Sequence, residues 1–122
     1  MAGRTTQFVV VTTTTDSEAT ARKLARLVVD ARLAACVQLF PIHSVYRWKG
    51  AVESASEHLL LAKTRQSLAG KLTAFILKNH TYEVPEITVT PILGGLNDYL
   101  KWIVAETRQD PDPAGDRHSE DS

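Results

Sequence analysis

Residues 80–87 read His-Thr-Tyr-Glu-Val-Pro-Glu-Ile and place an imidazole, a phenol, two carboxylates and a proline in one short stretch. Imidazole suits copper, zinc and nickel, and Glu83 and Glu86 would add oxygen donors. No Cys-x-x-Cys or His-x-x-x-His spacing accompanies them, so a metal site would need ligands from several loops or subunits. His80 with Glu83 also has the composition of a general acid–base pair. Nothing marks a nucleophile beside it, so catalysis is the least supported chemistry. The plainer alternative is a turn carrying two solvated glutamates. Pro85 fixes its own φ and pushes Val84 towards extended backbone, which stiffens the stretch that carries both glutamates.

These residues need elements to hold them. Before them, Leu68, Leu72, Phe75 and Ile76 recur at helical spacing and predict a helix over 65–79, weakened at Gly70. After them, the β-rich run 86–92 predicts a strand, so the stretch is a helix-to-strand loop, where functional groups concentrate. At the start of the chain, the β-branched run 7–14 predicts a buried strand, because its apolar residues are consecutive. Thr15 and Glu18 stand in capping-box spacing ahead of a helix reaching to about Leu33, with Leu24, Leu27, Val28 and Ala31 as its apolar stripe. A second strand begins at Ala34. A bend or bulge is expected at Pro41, after which the strand resumes to Trp48. Lys49-Gly50 predicts a tight turn, and a third strand returns over 51–63, polar at first and then continuously apolar. Asn97 or Asp98 caps a last helix reaching to about Glu106, with Leu96, Tyr99, Leu100 and Ile103 on its apolar face and Trp102 near the edge.

The order βαββαβ plus one helix predicts an α+β, ferredoxin-like sandwich with helices on one face of an antiparallel four-stranded sheet. A projecting two-stranded hairpin carrying Tyr46 and Trp48 is marginal alone. A second copy of the chain is its simplest partner, so a homo-oligomer is expected, with Tyr46, Trp48 and Trp102 at the interface. The 122 residues suit one domain, and the 43% apolar and 23% charged content is that of a soluble globular protein. No apolar run spans a bilayer and no signal pattern or anchor is seen, so no membrane partner and a cytoplasmic location are expected. The single Cys36 excludes an internal disulfide framework. The expected organisation is a flexible 1–5, a folded 6–107 and a disordered acidic tail over 108–122, rich in Asp, Pro and Ser. Scattered basic residues give no nucleic-acid surface.

Five blocks together resemble the CutA family of divalent-cation tolerance proteins. They are Ala34–Val37, Ser44–Gly50, Glu57 with Leu61–Thr64, His80–Ile87 and Tyr99–Ile103. The resemblance implies a ferredoxin-like subunit in a compact homotrimer, with hairpin strands pairing across subunits. It implies a role in tolerance of divalent metals, copper in particular, and no enzymatic reaction. It also implies a likeness in fold to the PII signalling trimers, which bind small effectors between subunits. Thr81 stands where the family usually has proline, which frees the backbone at His80, and Gln38 stands where it usually has asparagine.

On this basis Cys36, His80, Glu83 and Glu86 are the candidate ligands for copper or another divalent cation. Thiolates select soft ions such as Cu(I), although a lone cysteine in an apolar strand is more often simply a core residue. The other functional reading gathers Trp48, Lys63, Tyr82 and Glu86 at a subunit boundary as a site for a small polar or anionic effector. Gly94-Gly95 lacks the full phosphate-loop pattern, so nucleotide binding is not expected.

Overall fold

In this computed structural model residues 7–109 are described. The elements are β1 (Phe8–Thr15), α1 (Glu18–Asp30), β2 (Cys36–Trp48), β3 (Ala51–Arg65), a 3-10 turn (Gln66–Leu68), α2 (Ala69–Asn79), β4 (Ile87–Ile92) and α3 (Asn97–Glu106). The strands form one antiparallel sheet in the order β2-β3-β1-β4. This is the expected α+β, ferredoxin-like arrangement with a long hairpin and an extra helix. Residues 1–6 and 110–122, which include most of the expected tail, lie outside the described residues. Arg108, assigned to that tail from sequence, is tied to the fold: its backbone N–H donates to the Arg32 carbonyl at 2.8 Å.

The core lies between the sheet and α1 with α2. Val9 and Val11 of β1, Leu60 and Ala62 of β3, Leu24 and Val28 of α1, and Leu72 and Ile76 of α2 are all buried in one cluster. Facing residues in the register share a side, so Val9, Val11, Thr13, Leu60, Ala62 and Thr64 form the helix face. The other face carries Phe8, Val10, Phe40, Ile42, Leu59 and Leu61, which are half-buried or exposed. The consecutive valines of β1 therefore alternate between buried and half-buried positions, where the sequence suggested burial on both faces. Ile103 of α3 is fully buried outside the main cluster, and α3 packs on β3. Lys63, on the open side by register, sits 5.7 Å from the Tyr99 ring centroid, so α3 covers one end of that face. The sequence expectation of helices on a single face is corrected there.

Local chemistry shifts several boundaries. The cap of α1 is Ser17, whose Oγ accepts from the Thr20 N–H at 3.1 Å, and not Thr15, whose hydroxyl donates to the Ser17 carbonyl. The helix ends at Asp30 in a Schellman arrangement: Arg32 N–H donates to the Val29 carbonyl and Leu33 N–H to the Val28 carbonyl. Arg32 takes the left-handed conformation that glycine usually fills, at φ 59°. Leu27 is exposed, and Ala21 takes its place in the buried stripe. β2 runs through Pro41 with no break in register, because an edge strand tolerates a proline whose missing N–H would point away from its partner. Lys49 and Gly50 both have positive φ, 50° and 84°, as a two-residue type I′ hairpin turn requires.

Candidate functional site

β1 ends at Thr15, paired with His58, whereas the β2–β3 ribbon continues to Trp48 and Ala51. The ribbon thus projects past the sheet, and the loop between α2 and β4 folds against it. Ser44, Tyr46 and Trp48 share one side of β2, since alternate strand residues face the same way. Glu57 lies on that same side of β3, opposite Ile42. A cleft of about 730 Å³ opens between ribbon and loop. Thr14, Ser44, Tyr46, Trp48 and Glu57 form its sheet-side wall. Thr81, Tyr82, Glu83, Val84 and Glu86 form the loop side.

Two residues pin the loop. α2 stops at Asn79, and His80 is its extended C-cap. The His80 Nε2 lies 2.7 Å from the Thr14 carbonyl, and its Nδ1 accepts the Tyr82 N–H at 3.0 Å. Accepting from an amide requires a bare Nδ1, so the proton sits on Nε2 and is donated to Thr14. The His80 and Tyr82 rings then lie 4.8 Å apart. The Tyr82 hydroxyl donates to Glu57 Oε2 at 2.8 Å. Glu57 is only 8% exposed, so this bond compensates a buried carboxylate. Burial, then the hydrogen bond to Glu57 and its negative charge, pushes the Tyr82 hydroxyl well above the ordinary phenol range. At the mouth, Lys49 Nζ lies 3.6 Å from Glu83 Oε1 and 5.5 Å from the Trp48 ring centroid.

The residues singled out from sequence divide into two groups. Trp48, Tyr82, Glu83 and Glu86 line the cleft, and His80 lies behind Tyr82 as the loop's anchor. Cys36 and Lys63 pair with each other across β2 and β3, six residues along β3 from Glu57, or about 20 Å at about 3.3 Å per residue. Neither enters the cleft within one chain. Among the described residues, no three His, Cys, Asp or Glu side chains are grouped to hold a metal ion. The residues Cys36, His80, Glu83 and Glu86 are therefore not gathered in one place within a single chain, and both His80 nitrogens are already hydrogen bonded. Tyr46, Trp48 and Trp102 are exposed, with Trp102 stacked near Tyr99 at 5.5 Å between centroids. The polar residues that sequence reasoning missed as site members include Glu57, Ser44 and Thr14. Glu57 was detectable as the last carboxylate of the polar first half of β3, two residues before the strand becomes continuously apolar at Leu59.

The model of the CutA1 divalent ion tolerance protein family matches residues 9–106. The chain belongs to that family. It is 46% identical over 106 residues to the chloroplastic CutA protein of Arabidopsis thaliana, covering 86% of this chain and 58% of that one. It is 43% identical over 99 residues to the divalent-cation tolerance protein CutA of Thermus thermophilus, covering 80% of this chain and 96% of the relative. The crystal structure of CutA1 from Oryza sativa superposes with a TM-score of 0.83 at 41% identity, covering 87% of this chain and 98% of that chain. This CutA1-family chain thus spans under two thirds of the Arabidopsis protein and nearly all of the bacterial one. No helix of the described residues is long and apolar enough to cross a membrane.

Proposed function

We propose that the chain is a non-catalytic, homotrimeric, cytoplasmic protein of divalent-cation tolerance that meets its ligand at the cleft between ribbon and loop. The observation that carries this reading is a cleft beside the projecting ribbon whose lining includes Glu57, Glu83 and Glu86. The open face adjoining it carries half-buried and exposed apolar side chains, and a neighbouring copy would cover them. Tyr46, Trp48 and Trp102 are the aromatic anchors of that assembly. Copper binding through Cys36, His80, Glu83 and Glu86 enters this reading only as a site shared between copies, because one chain holds Cys36 far from the other three. A metal there would also have to displace the Tyr82 N–H from His80.

The test is a competition titration of metal-free protein with Cu(I), Cu(II) and other divalent ions, beside a Cys36→Ser, His80→Ala double variant. The trimer mass is measured in parallel by light scattering. Saturable copper binding lost in the variant supports a shared site. Binding unchanged in the variant removes Cys36 and His80 as ligands, and a monomeric mass removes the shared site itself.

A second reading has its own support. The cleft volume of about 730 Å³ is far larger than a metal ion needs and falls within the range of small-molecule sites. In that reading the assembly is a PII-like sensor of a small effector.

A further inference from the structure

The charge of the cleft decides what kind of effector it takes. Sequence reasoning placed Lys63 in the site, which suits an anion. In the folded chain Lys63 lies beside Cys36 and over Tyr99, away from the cleft. No lysine, arginine or histidine among the described residues lines the cleft. Three carboxylates and three aromatic rings, those of Tyr46, Trp48 and Tyr82, do. An anion would find no counter-charge on that lining, and the Lys49 ammonium at the mouth is already paired with Glu83. A bare metal would find carboxylates spread around a wide space and rings that offer it no donor atom. An ammonium group on a carbon chain finds both things it needs: carboxylates for its charge and ring faces for its C–H surface.

The protein already shows this chemistry at the cleft mouth. The Lys49 ammonium is held between Glu83, 3.6 Å away, and the Trp48 ring, 5.5 Å from its centroid. That is an alkylammonium seated on one ring and one carboxylate of the lining. The Lys49 and Glu83 side chains both remain largely exposed, so the contact is exchangeable. Deeper in the cleft, Glu57 is buried, and Glu86 carries a further carboxylate on the loop wall.

We propose that the cleft receives the ammonium end of a small organic amine, with Lys49 as the resident cation that such a ligand displaces. The proposal rests on the effector-binding reading of the cleft and names the ligand class. Glu83 and Glu86 carry the charge recognition. Trp48 and Tyr46 supply the ring faces, and Tyr82, fixed through Glu57, closes the far wall.

The test is calorimetric titration of the intact oligomer with butylammonium, putrescine and tetramethylammonium. Butanol and citrate serve as neutral and anionic probes of similar size. The Trp48 indole N–H resonance, assigned with a Trp102→Phe variant, locates the binding. Saturable binding of the ammonium probes with a shift at Trp48 and none from butanol is expected. Glu86→Gln should weaken it about tenfold, the loss of one close charge partner. Lys49→Asn, which keeps a residue suited to the type I′ turn, should tighten it several-fold by removing the competitor. A gain of affinity cannot come from misfolding. Ammonium binding indifferent to both variants overturns the proposal as diffuse surface charge. Citrate shifting Trp48 while the amines do not overturns the ammonium class and leaves the effector reading standing, with a basic residue of a second copy completing the site. No probe shifting Trp48 overturns both.

Discussion

The Tyr82 hydroxyl donates to Glu57 Oε2 at 2.8 Å, and this one bond ties the loop after α2 to the start of the buried part of β3. It also sets the depth of the cleft, since both residues line it. Removing the hydroxyl leaves a carboxylate that is 8% exposed without this donor. Hydrogen bonds to charged groups contribute about 1.5–3 kcal/mol, so Tyr82→Phe should lower stability by about 2 kcal/mol. A denaturant midpoint measured at constant m-value checks this. Glu57→Gln in the Tyr82→Phe background should cost less than it does alone, because the two residues share one interaction. Simple additivity would show that the bond contributes nothing.

The same pair gives a pH dependence of definite sign. Burial first, then Glu57, raises the Tyr82 phenol above its ordinary value. A raised folded-state value means that the contribution is complete below the unfolded tyrosine pKa of about 10 and is lost as pH rises beyond it. Stability should therefore fall on the alkaline side. In the phenolate absorbance titration of the native protein, Tyr82→Phe should remove the most alkaline step. A variant titration that loses an earlier step instead would contradict the burial of this hydroxyl.

His80 should behave as a structural clasp. It bridges the Thr14 carbonyl and the Tyr82 N–H with its two ring nitrogens. His80→Ala should therefore speed hydrogen exchange of the Tyr82 amide at least tenfold, as the loop opens more often. Exchange at the Val11 amide, in the buried middle of β1, should change much less. Equal acceleration at both amides would mean that the substitution loosens the whole fold and not the loop.

Much of this architecture was legible because its signals are local. Leu72, Phe75 and Ile76 mark α2 by period, Lys49-Gly50 marks the hairpin, and the change from polar to apolar along β3 marks where the ribbon leaves the sheet. The site was legible as a stretch but not as a place. Tyr82 and Glu86 stand four residues apart, and the sequence signals both. Glu57 reaches the cleft only through the pairing of β3, and Cys36 and Lys63 are kept out of it by the same register. Residue type could not show that, because strand pairing joins positions far apart in the chain. Pro41 misled for a related reason. Its effect depends on β2 being an edge strand, which is a property of the sheet order and not of the dipeptide.

The hairpin turn offers a test of backbone conformation free of packing. A Cβ built on Gly50 would meet nothing within 4 Å, yet its φ is +84°. Gly50→Ala should therefore destabilise by about 1 kcal/mol through conformation alone. Thermal unfolding of the purified variant checks this. An unchanged midpoint would mean that the ribbon tip is not held in the type I′ geometry.

Thr13 makes the opposite prediction, a gain. Its side chain is 1% exposed on the helix face of β1, opposite Leu60, and its Oγ1 is buried with no hydrogen-bond partner among the described residues. A hydroxyl kept from water without a partner costs about 1–3 kcal/mol. Valine has nearly the same shape, favours strands through its β-branch and brings no polar atom. Thr13→Val should therefore stabilise the fold by about 1 kcal/mol, raising the melting midpoint by about 4–8 °C for a folded unit of this size. Its side chain faces α1 and α2 and not the cleft, so ligand titrations should be unchanged. A fall in the midpoint would mean that the hydroxyl has a partner in solution, with a buried water as the first candidate.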